Sequence, residues 1–435
     1  MREGLPNILY VHSHDTGRWV RPYGYAVRTP NIQRLAEEGV IFRKAFCAAP
    51  TCSGSRACLL TGQYAHSNGM VGLAHRGFSL KDYCHHIVHT LRELGYWSAL
   101  IGEQHISKKP GIIGYDEVVK ISTNHTDDVV PVTLDLLKRA RDKPFFLSVG
   151  FFETHREWFR PSSPKKANYV VPPPNLPDTP QTRLDMAAFQ ESAHSLDRGV
   201  GAVLDALDAE GLTENTLVIC TTDHGLAFPG AKATLYDRGL GVMLILRGPG
   251  GFTGGKAIVA LVSHIDLFPT ICDLAGAGRL PWLQGESLLP LVNGEVEEVR
   301  GTLFAEKTYH VAYEPERCAR THRWKYIRRF DDEHPTPVLA NIDDGLSKET
   351  VLANGWAERP VPAEQLYDLL HDPNEAHNLA GEPALAGVLE DMRSRLDGWM
   401  RETEDPLLDG PVPAPEGAEL NGRDQLSPTN PTTVV

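Results

Sequence analysis

The sequence predicts an α/β fold: a central mixed, mostly parallel sheet flanked by helices, followed by a smaller C-terminal α+β domain with an antiparallel sheet. Two observations lead to this prediction. Short apolar runs typical of buried parallel strands alternate with helix-like segments in the first part of the chain. Further along, short strand-like runs follow one another and a single long helix comes after them. The polar segment 294–300 is the expected boundary between a larger domain, 1–298, and the C-terminal domain, 299–435.

The composition indicates a globular chain of 435 residues, of which 41% are hydrophobic. The formal net charge of −13 argues against nucleic acid as a partner, because surfaces that bind nucleic acids are usually basic. The N-terminus leads into a strand without an apolar signal segment, and no run is long enough to span a bilayer, so we expect a cytoplasmic protein with no membrane partner. The 7 irregularly spaced cysteines fit a reducing compartment better than a disulfide framework.

The predicted elements follow in order along the chain. In the larger domain, strands are predicted at 7–11, 40–42, 97–102, 145–151, 216–222 and 242–246. Helices are predicted there at 32–38, 52–61, 83–94 and 185–209, with one more ending near 276. In the smaller domain, strands are predicted at 302–305, 318–320, 324–327 and 365–368, and a helix at 384–402. The tail from about 404 is expected to be either disordered or strapped across the surface.

Four predicted strands run into side chains that can do chemistry. These side chains are His14 and Asp15, Glu103 and His105, His155, and Asp223 and His224. The carboxyl ends of parallel strands face the active cleft of an open α/β sheet, so we expect these groups to lie at one edge of the sheet. A divalent metal held by the two Asp–His pairs would neutralise a sulfate or phosphate oxygen and acidify an attacking hydroxyl. An unmetallated polar cluster is the alternative.

The segment 51–63 is the candidate for the nucleophile. Cys52 is placed at the N-terminal end of a predicted helix, where the helix dipole is positive. Arg56, four residues later, shares its face and can stabilise an anion at that position. The Cys–Arg spacing is too short for the phosphate loop of cysteine phosphatases, and the neighbouring cysteines lack the Cys-x-x-Cys spacing of a zinc site. A buried structural cysteine is the alternative.

Cys52-x-x-x-Arg56 followed by Leu60-Thr61-Gly62 resembles the signature of the sulfatases. The similarity looks strongest to the sulfamidase branch, the N-sulfoglucosamine sulfohydrolases. The segments that carry it are 66–70, 144–151, 215–225, 367–380 and the tail around 426–428. Gly54 is a departure, because the family usually has Pro or Ala at that position.

The resemblance implies an alkaline-phosphatase-like fold, in which 1–298 would be the catalytic sulfatase domain. It also implies that Cys52 is oxidised to formylglycine by a formylglycine-generating enzyme, and that the protein is a homodimer. One divalent metal would be bound; calcium is usual in the family, whereas imidazole ligands favour manganese or zinc. The ligands implied are His14, Asp15, residue 52, Asp223 and His224, with His14 either a ligand or a residue behind the ligands.

The resemblance also assigns roles near the nucleophile. Lys232 resembles the lysine that contacts the nucleophile and a sulfate oxygen, and His105 the histidine that positions or deprotonates the formylglycine hydrate. His155 resembles the histidine near the leaving group, where a general acid is needed. Together with Cys52 and Arg56, these are the expected catalytic residues.

Glu103 stands where related enzymes usually have a lysine. It is expected to bind a cationic part of the substrate or to contact the metal, unless Lys108 or Lys109 supplies the missing charge. Next to His155, the side chains expected to face a sugar ring are Arg156, Trp158 and Arg160. The proline-rich loop 161–180 is expected to shape the mouth of the site.

Three functions follow from these residues. The leading one is metal-dependent hydrolysis of a sulfate ester or sulfamate of a small substrate, with a sugar favoured, by the formylglycine made from Cys52. The second is hydrolysis of a phosphonate or phosphate ester on the same scaffold. The substrate would then be a phosphorylated molecule. Asp223-His224 also resembles the metal-ligand pair of phosphonate monoester hydrolases in this superfamily. The third is a catalytically inactive homologue that only binds its ligand.

Overall fold

The computed structural model describes residues 4–139 and 143–435. Its main sheet has eight strands in the order β4-β3-β5-β1-β6-β7-β2-β8. They are β1 Asn7–Ser13, β2 Val40–Phe46, β3 Trp97–Gly102, β4 Glu117–Val118, β5 Phe145–Gly150, β6 Thr216–Thr222, β7 Leu244–Arg247 and β8 Lys256–Ser263. Among these eight described strands, β7 alone runs antiparallel to its neighbours, β6 and β2. The predicted mixed, mostly parallel sheet is confirmed.

Helices cover both faces of the main sheet. They are α1 Pro30–Glu38, α2 Cys52–Thr61, α3 Ala65–Asn68, α4 Ile87–Glu93, α5 Thr126–Arg139, α6 Pro180–Ala209, α7 Asp237–Leu240, α8 Leu267–Ala275 and α9 Leu289–Val292. The side chains of the central strands alternate between two large apolar clusters, for example Ile8 and Tyr10 in one and Leu9 and Val11 in the other. This alternation buries both faces of the strands, as the continuous apolar runs predicted.

A second, antiparallel sheet follows, in the order β12-β11-β10-β9. Its elements and those after it are β9 Leu303–Tyr309, β10 Tyr313–Arg320, β11 Trp324–Arg329, α10 Leu346–Leu352, β12 Glu364–Asp368, α11 Ala386–Glu402, β13 Glu419–Leu420 and β14 Thr433–Val434. The predicted antiparallel strands and the helix after them are confirmed. The division of the chain at residue 298 stays a prediction.

The tail after α11 is strapped across the surface. Tyr309 Oη donates to the carbonyl of Val412 at 2.7 Å, and the backbone N–H of Asn421 donates to Val311 at 2.9 Å. The strands β13 and β14 pair with each other. Of the two alternatives for the tail, disorder is therefore wrong. Within the described residues, none of the helices combines the length and apolar character needed to cross a membrane.

Some element boundaries differ from those predicted. The helix expected at 83–94 is only α4, because His86 is extended and its side chain caps α4 by accepting from the N–H of Val88. The long helix begins at Pro180 rather than 185, because Thr179 and Thr182 form a capping box there. The helix α5 and the strand β8 were not predicted.

Candidate active site

The candidate site forms where several strands end beside the start of α2. β1 pairs in parallel with β5 and β6, and β5 pairs in parallel with β3, so the loops after these strands leave the same edge of the sheet. The structure brings together at this edge His14, Asp15, Cys52, His105, His155, Asp223, His224 and Lys232.

Two buried aspartates form the centre of the site. The backbone N–H of Asp15 donates to Asp223 Oδ1 at 2.8 Å. His14 Nδ1 lies 2.9 Å from Asp15 Oδ1 and 3.1 Å from Asp223 Oδ2, so one imidazole contacts both carboxylates. Burial alone would lower the pKa of His14, but Asp223, Cys52 and Asp15 hold it well above its usual value.

Cys52 is the first residue of α2, and its side chain is buried. Its Sγ lies 3.4 Å from His224 Nε2, and the same nitrogen lies 3.3 Å from Asp15 Oδ1. Burial alone would raise the pKa of the Cys52 thiol, but Lys232 and the nearby imidazoles hold it well below its usual value. For His224 burial acts downward, but Asp223 and Cys52 raise its pKa to about 9. The surroundings of residue 52 therefore favour a negative charge.

Lys232 joins this centre to a residue that the sequence analysis missed, Asp343. Its Nζ lies 2.9 Å from Asp15 Oδ2 and 3.0 Å from Asp343 Oδ2. Burial alone would lower the pKa of Lys232, but these carboxylates raise it well above its usual value. Asp343 comes from the loop between β11 and α10 and follows no strand of the main sheet, so the strand-end pattern could not reveal it.

The two predicted catalytic histidines lie on either side of this centre. His155 Nε2 is 3.4 Å from Lys232 Nζ, and burial and then that ammonium lower the pKa of His155. His105 has a ring nitrogen within 4.8 Å of Cys52 Sγ, and its Nε2 lies 2.7 Å from His75 Nδ1. His105 has the left-handed backbone conformation, with φ 54°, which turns the chain after β3 toward residue 52.

Arg56 does not point at Cys52 as its helical spacing suggested. It is almost fully buried, and its guanidinium donates to the carbonyl of Ser13 at 2.9 Å and to Asp223 Oδ2 at 3.1 Å, while also contacting His12 Nδ1. None of its described hydrogen bonds goes to residue 52. The structure therefore places Arg56 behind the Asp223 carboxylate, because that partner outweighs the local contact within the helix.

The charges expected around Glu103 are also arranged differently. Glu103 Oε2 accepts from Asn124 Nδ2 at 2.8 Å, and the carboxylate is not in any of the converging ligand groups found among the described residues. Lys108 Nζ lies 3.9 Å from Glu419 of β13, and Lys109 is exposed. Neither lysine has a described contact with the site residues, and their role there stays a prediction.

The side chains next to His155 have partners within the protein. The Arg156 guanidinium forms two hydrogen bonds with Asp185, at 2.9 and 2.7 Å, and stacks 3.7 Å from the ring centre of Trp158. Trp158 Nε1 donates to the carbonyl of Thr154 at 2.6 Å. Arg160 is exposed. The guanidinium of Arg156 is therefore engaged by Asp185 and Trp158 within the protein, which differs from the expectation that it faces a sugar ring.

The donors at the centre fit a divalent cation. Ligand atoms of His14, Asp15, Cys52 and Asp223 all lie within 4.8 Å of one another and are buried. His224 Nε2 is close to the same carboxylates, 3.7 Å from Asp223 Oδ2. Carboxylate oxygens and imidazole nitrogens are both common ligands of divalent metals. A nucleophile beside such ligands and a buried ammonium defines a metal-dependent hydrolase of anionic esters.

Comparison with known families identifies the chain more closely. The sulfatase family matches residues 6–277, and the C-terminal region of N-sulphoglucosamine sulphohydrolases matches residues 224–345. The chain therefore belongs to the sulfatase family, as its motif indicated. It is a hydrolase of sulfate esters or sulfamates, and a divalent metal and formylglycine are typical of this family.

Individual relatives agree with this assignment. The chain is 29% identical to human N-sulphoglucosamine sulphohydrolase, covering 93% of this chain and 92% of the relative. It is 30% identical to an ulvan-active sulfatase of Formosa agariphila, covering 97% and 86%. A solved sulfatase structure from Bacteroides fragilis has a TM-score of 0.77 at 19% identity, covering 95% and 99%. The alkaline-phosphatase-like fold is confirmed.

A second solved structure contains a sugar. It is a complex with its substrate, D-glucosamine-2-N,6-O-disulfate, and it has a TM-score of 0.71 at 19% identity, covering 92% of this chain and 98% of that one. At this identity the similarity shows the shared fold.

Proposed function

We propose that this sulfatase removes a sulfate group, as an ester or a sulfamate, from a small sulfated sugar. The observation that carries the proposal is the buried convergence of Cys52, Lys232 and two Asp–His pairs at one edge of the sheet. Two similarities support a sugar as the substrate. One is to human N-sulphoglucosamine sulphohydrolase, and the other is to the solved structure that contains a disulfated glucosamine.

The cation would be held by Asp15, Asp223, His14, His224 and residue 52. Bound there, it would neutralise charge on a sulfate oxygen and lower the pKa of an attacking hydroxyl. Formylglycine at position 52 would supply that hydroxyl from its hydrate. We favour manganese or zinc over calcium, because calcium prefers oxygen ligands and this centre offers two imidazoles.

The surrounding side chains act on the sulfate and on protons. Lys232, whose charge is held by Asp15 and Asp343, binds a sulfate oxygen, because its ammonium lies where negative charge develops. His105 accepts a proton at the ring nitrogen that faces residue 52. We assign His155, next to Lys232, to the leaving-group side of the site, where a general acid is needed.

The test compares substrates and metals on protein produced with a formylglycine-generating enzyme. We expect turnover of N-sulfoglucosamine and of nitrophenyl sulfate, loss of turnover after chelation, and recovery with manganese to a greater extent than with calcium. A protein that is fully converted to formylglycine yet releases no sulfate from any sulfated sugar or aryl sulfate would overturn the proposal and support a binding homologue.

A phosphonate or phosphate ester hydrolase is the second candidate. One observation favours it, the presence of His14 and His224 among the metal donors, because imidazole ligands suit the manganese or zinc centre that the resemblance to phosphonate monoester hydrolases implies. Faster turnover of nitrophenyl phosphonate esters than of nitrophenyl sulfate, under the same metal, would favour this function.

Three further properties stay predictions. They are maturation by a formylglycine-generating enzyme, a homodimeric state and a cytoplasmic location. Mass measurement in solution and fractionation of the native host test the last two.

A further inference from the structure

A second histidine, His75, contacts the predicted base His105. His75 Nδ1 lies 2.7 Å from His105 Nε2, and the two rings are nearly parallel, with an interplanar angle of 13°. His75 belongs to a short turn, Ala74–Arg76, and is exposed. No role was assigned to it by the strand-end pattern or by the sulfatase motif.

The two histidines are held together by Ser53, the neighbour of Cys52. Ser53 Oγ accepts from the backbone N–H of Ala74 at 2.9 Å and donates to the backbone carbonyl of His105. One hydroxyl therefore fixes the turn that carries His75 and the turn that carries His105 relative to the start of α2. The contact between the imidazoles is a built feature of the site rather than a chance meeting of surface side chains.

The second ring nitrogen of His105, Nδ1, differs from Nε2 in its hydrogen bonding. His105 Nδ1 is buried and has no hydrogen-bond partner among the described residues. With Nε2 engaged by His75, Nδ1 is the ring nitrogen without a partner, and one ring nitrogen of His105 lies within 4.8 Å of Cys52 Sγ. A neutral imidazole has one N–H and one lone pair, so the partner of Nε2 decides which of them Nδ1 presents.

We infer that His75 is a positioning residue that keeps the proton of His105 on Nε2 and thereby presents the Nδ1 lone pair to residue 52. In this arrangement His105 Nε2–H donates to the lone pair of His75 Nδ1, and His75 carries its own proton on Nε2. Both rings then have the same Nε2–H tautomer. This inference rests on the proposed function, in which His105 accepts a proton.

The charges around His75 are consistent with its role as an acceptor. Partial burial of the ring and then the neighbouring His105 lower the pKa of His75 to about 4, and Arg76 and His310 act in the same direction while Cys52 opposes them. His75 is therefore neutral at neutral pH, and a neutral imidazole has one ring nitrogen with a lone pair that can accept a hydrogen bond.

The direct test is the tautomer of His105, read by ¹⁵N NMR on histidine-labelled protein in which Cys52 has been converted to formylglycine. The His105 signals are identified by their loss in His105→Ala. We expect the Nε2–H tautomer in the wild type, a mixture of tautomers in His75→Ala, and the Nε2–H tautomer again in His75→Asn, whose amide oxygen can accept. An Nδ1–H tautomer in the wild type, or no change in His75→Ala, would overturn the inference.

Kinetics on the formylglycine form give the second readout. We expect His75→Ala to lower kcat about 10- to 100-fold with KM nearly unchanged, and His75→Asn to recover most of the loss. His377→Ala, which removes a histidine whose side chain is 83% exposed, is the matched control and should leave kcat unchanged. Equal losses in His75→Ala and His75→Asn would contradict the role.

The proposed role of His105 as a base and the inferred role of His75 can be tested separately. If His105→Ala retains full turnover, the proposed role of His105 as a base is wrong, whatever the tautomer. If His105→Ala is inactive but His75→Ala is fully active with an unchanged tautomer, the role of His105 stands and that of His75 fails.

Discussion

Lys232 carries an ammonium that contacts both Asp15, a proposed metal ligand, and Asp343, in a loop of the C-terminal part. Its Nζ is shared between Asp15 and Asp343, so removing the charge leaves these two carboxylates without the ammonium that both of them contact. It would also remove the group that we propose contacts the sulfate. We therefore expect the loss of this ammonium to have a much larger effect than the loss of an exposed ion pair, which usually contributes little.

We expect Lys232→Met to lower kcat at least about 100-fold, because it removes electrostatic stabilisation at the reacting group. Lys348→Met is the matched control. It also removes a buried lysine beside a carboxylate, 2.8 Å from Asp344, but outside the metal-ligand cluster. Sulfate release is compared at equal formylglycine content, and near wild-type kcat in Lys232→Met would show that this ammonium does not act on the sulfate.

Prediction of single residues succeeded where the residue directly follows a predicted strand, because the end of the strand sets its position. The residues after β1 and β6 meet because the strands that carry them are parallel neighbours, and the apolar runs predicted both as buried strands that end at one edge of the sheet. Prediction failed where a distant segment decides. Arg56 turns toward Asp223, and Asp343 enters from a loop far along the chain, and neither partner can be read from local spacing.

At the scale of elements, the helix α2 carries residue 52 at its N-terminal end, and Gly62 ends the helix. Gly62 has the left-handed conformation, with φ 66°, and its N–H donates to the carbonyl of Cys58. A Cβ at this position would lie 2.4 Å from Leu283 Cδ2 and 3.3 Å from Phe268 Cβ. The sequence predicted this helix end because glycine is the residue that adopts this conformation without strain.

We expect Gly62→Ala to destabilise the protein by about 2–4 kcal/mol, since backbone strain and crowding add. Gly95→Ala is the matched control, because Gly95 has φ 92° but a Cβ added there would meet no described atom within 4 Å. It should cost only the strain, about 1 kcal/mol. Calorimetric midpoints that fall equally for the two variants would argue against tight packing at the end of α2.

At the scale of the whole molecule, one buried ionic cluster ties three distant segments together. Glu306 of β9 accepts from His66 Nδ1 of α3 at 2.9 Å, and Arg317 of β10 lies 3.4 Å from Glu306 and binds Asp405 beyond α11. Burial alone would raise the pKa of Glu306, but His66 and Arg317 outweigh it and lower the pKa to about 2. The cluster therefore joins a helix beside the main sheet, the second sheet and the tail.

This shift makes stability depend on pH in a defined direction. A carboxyl whose pKa is lower in the folded protein stabilises it above the unfolded value, near 4.5, and that stability is lost as pH falls toward about 2. The contribution at neutral pH is on the order of 3 kcal/mol. We expect Glu306→Gln to lower the thermal midpoint at pH 7, and the difference from wild type to shrink between pH 5 and 3. The same change at exposed Glu382 should have no such effect.

The overall architecture was predictable because the alternation of apolar runs and the sulfatase motif point to the same fold. The path of the tail was not, since it depends on scattered contacts with distant segments, such as the hydrogen bond from the N–H of Asn421 to the carbonyl of Val311, that no periodic pattern encodes.

The most direct test of the central claim is the mass of the peptide that contains Cys52, measured on protein produced with a formylglycine-generating enzyme, together with sulfate release by the same sample. We expect the thiol to be replaced by an aldehyde and sulfate turnover to rise in proportion to the converted fraction. An intact cysteine in protein that still hydrolyses sulfate esters would contradict the formylglycine mechanism, and a thiolate or a metal-activated water would then have to take its place.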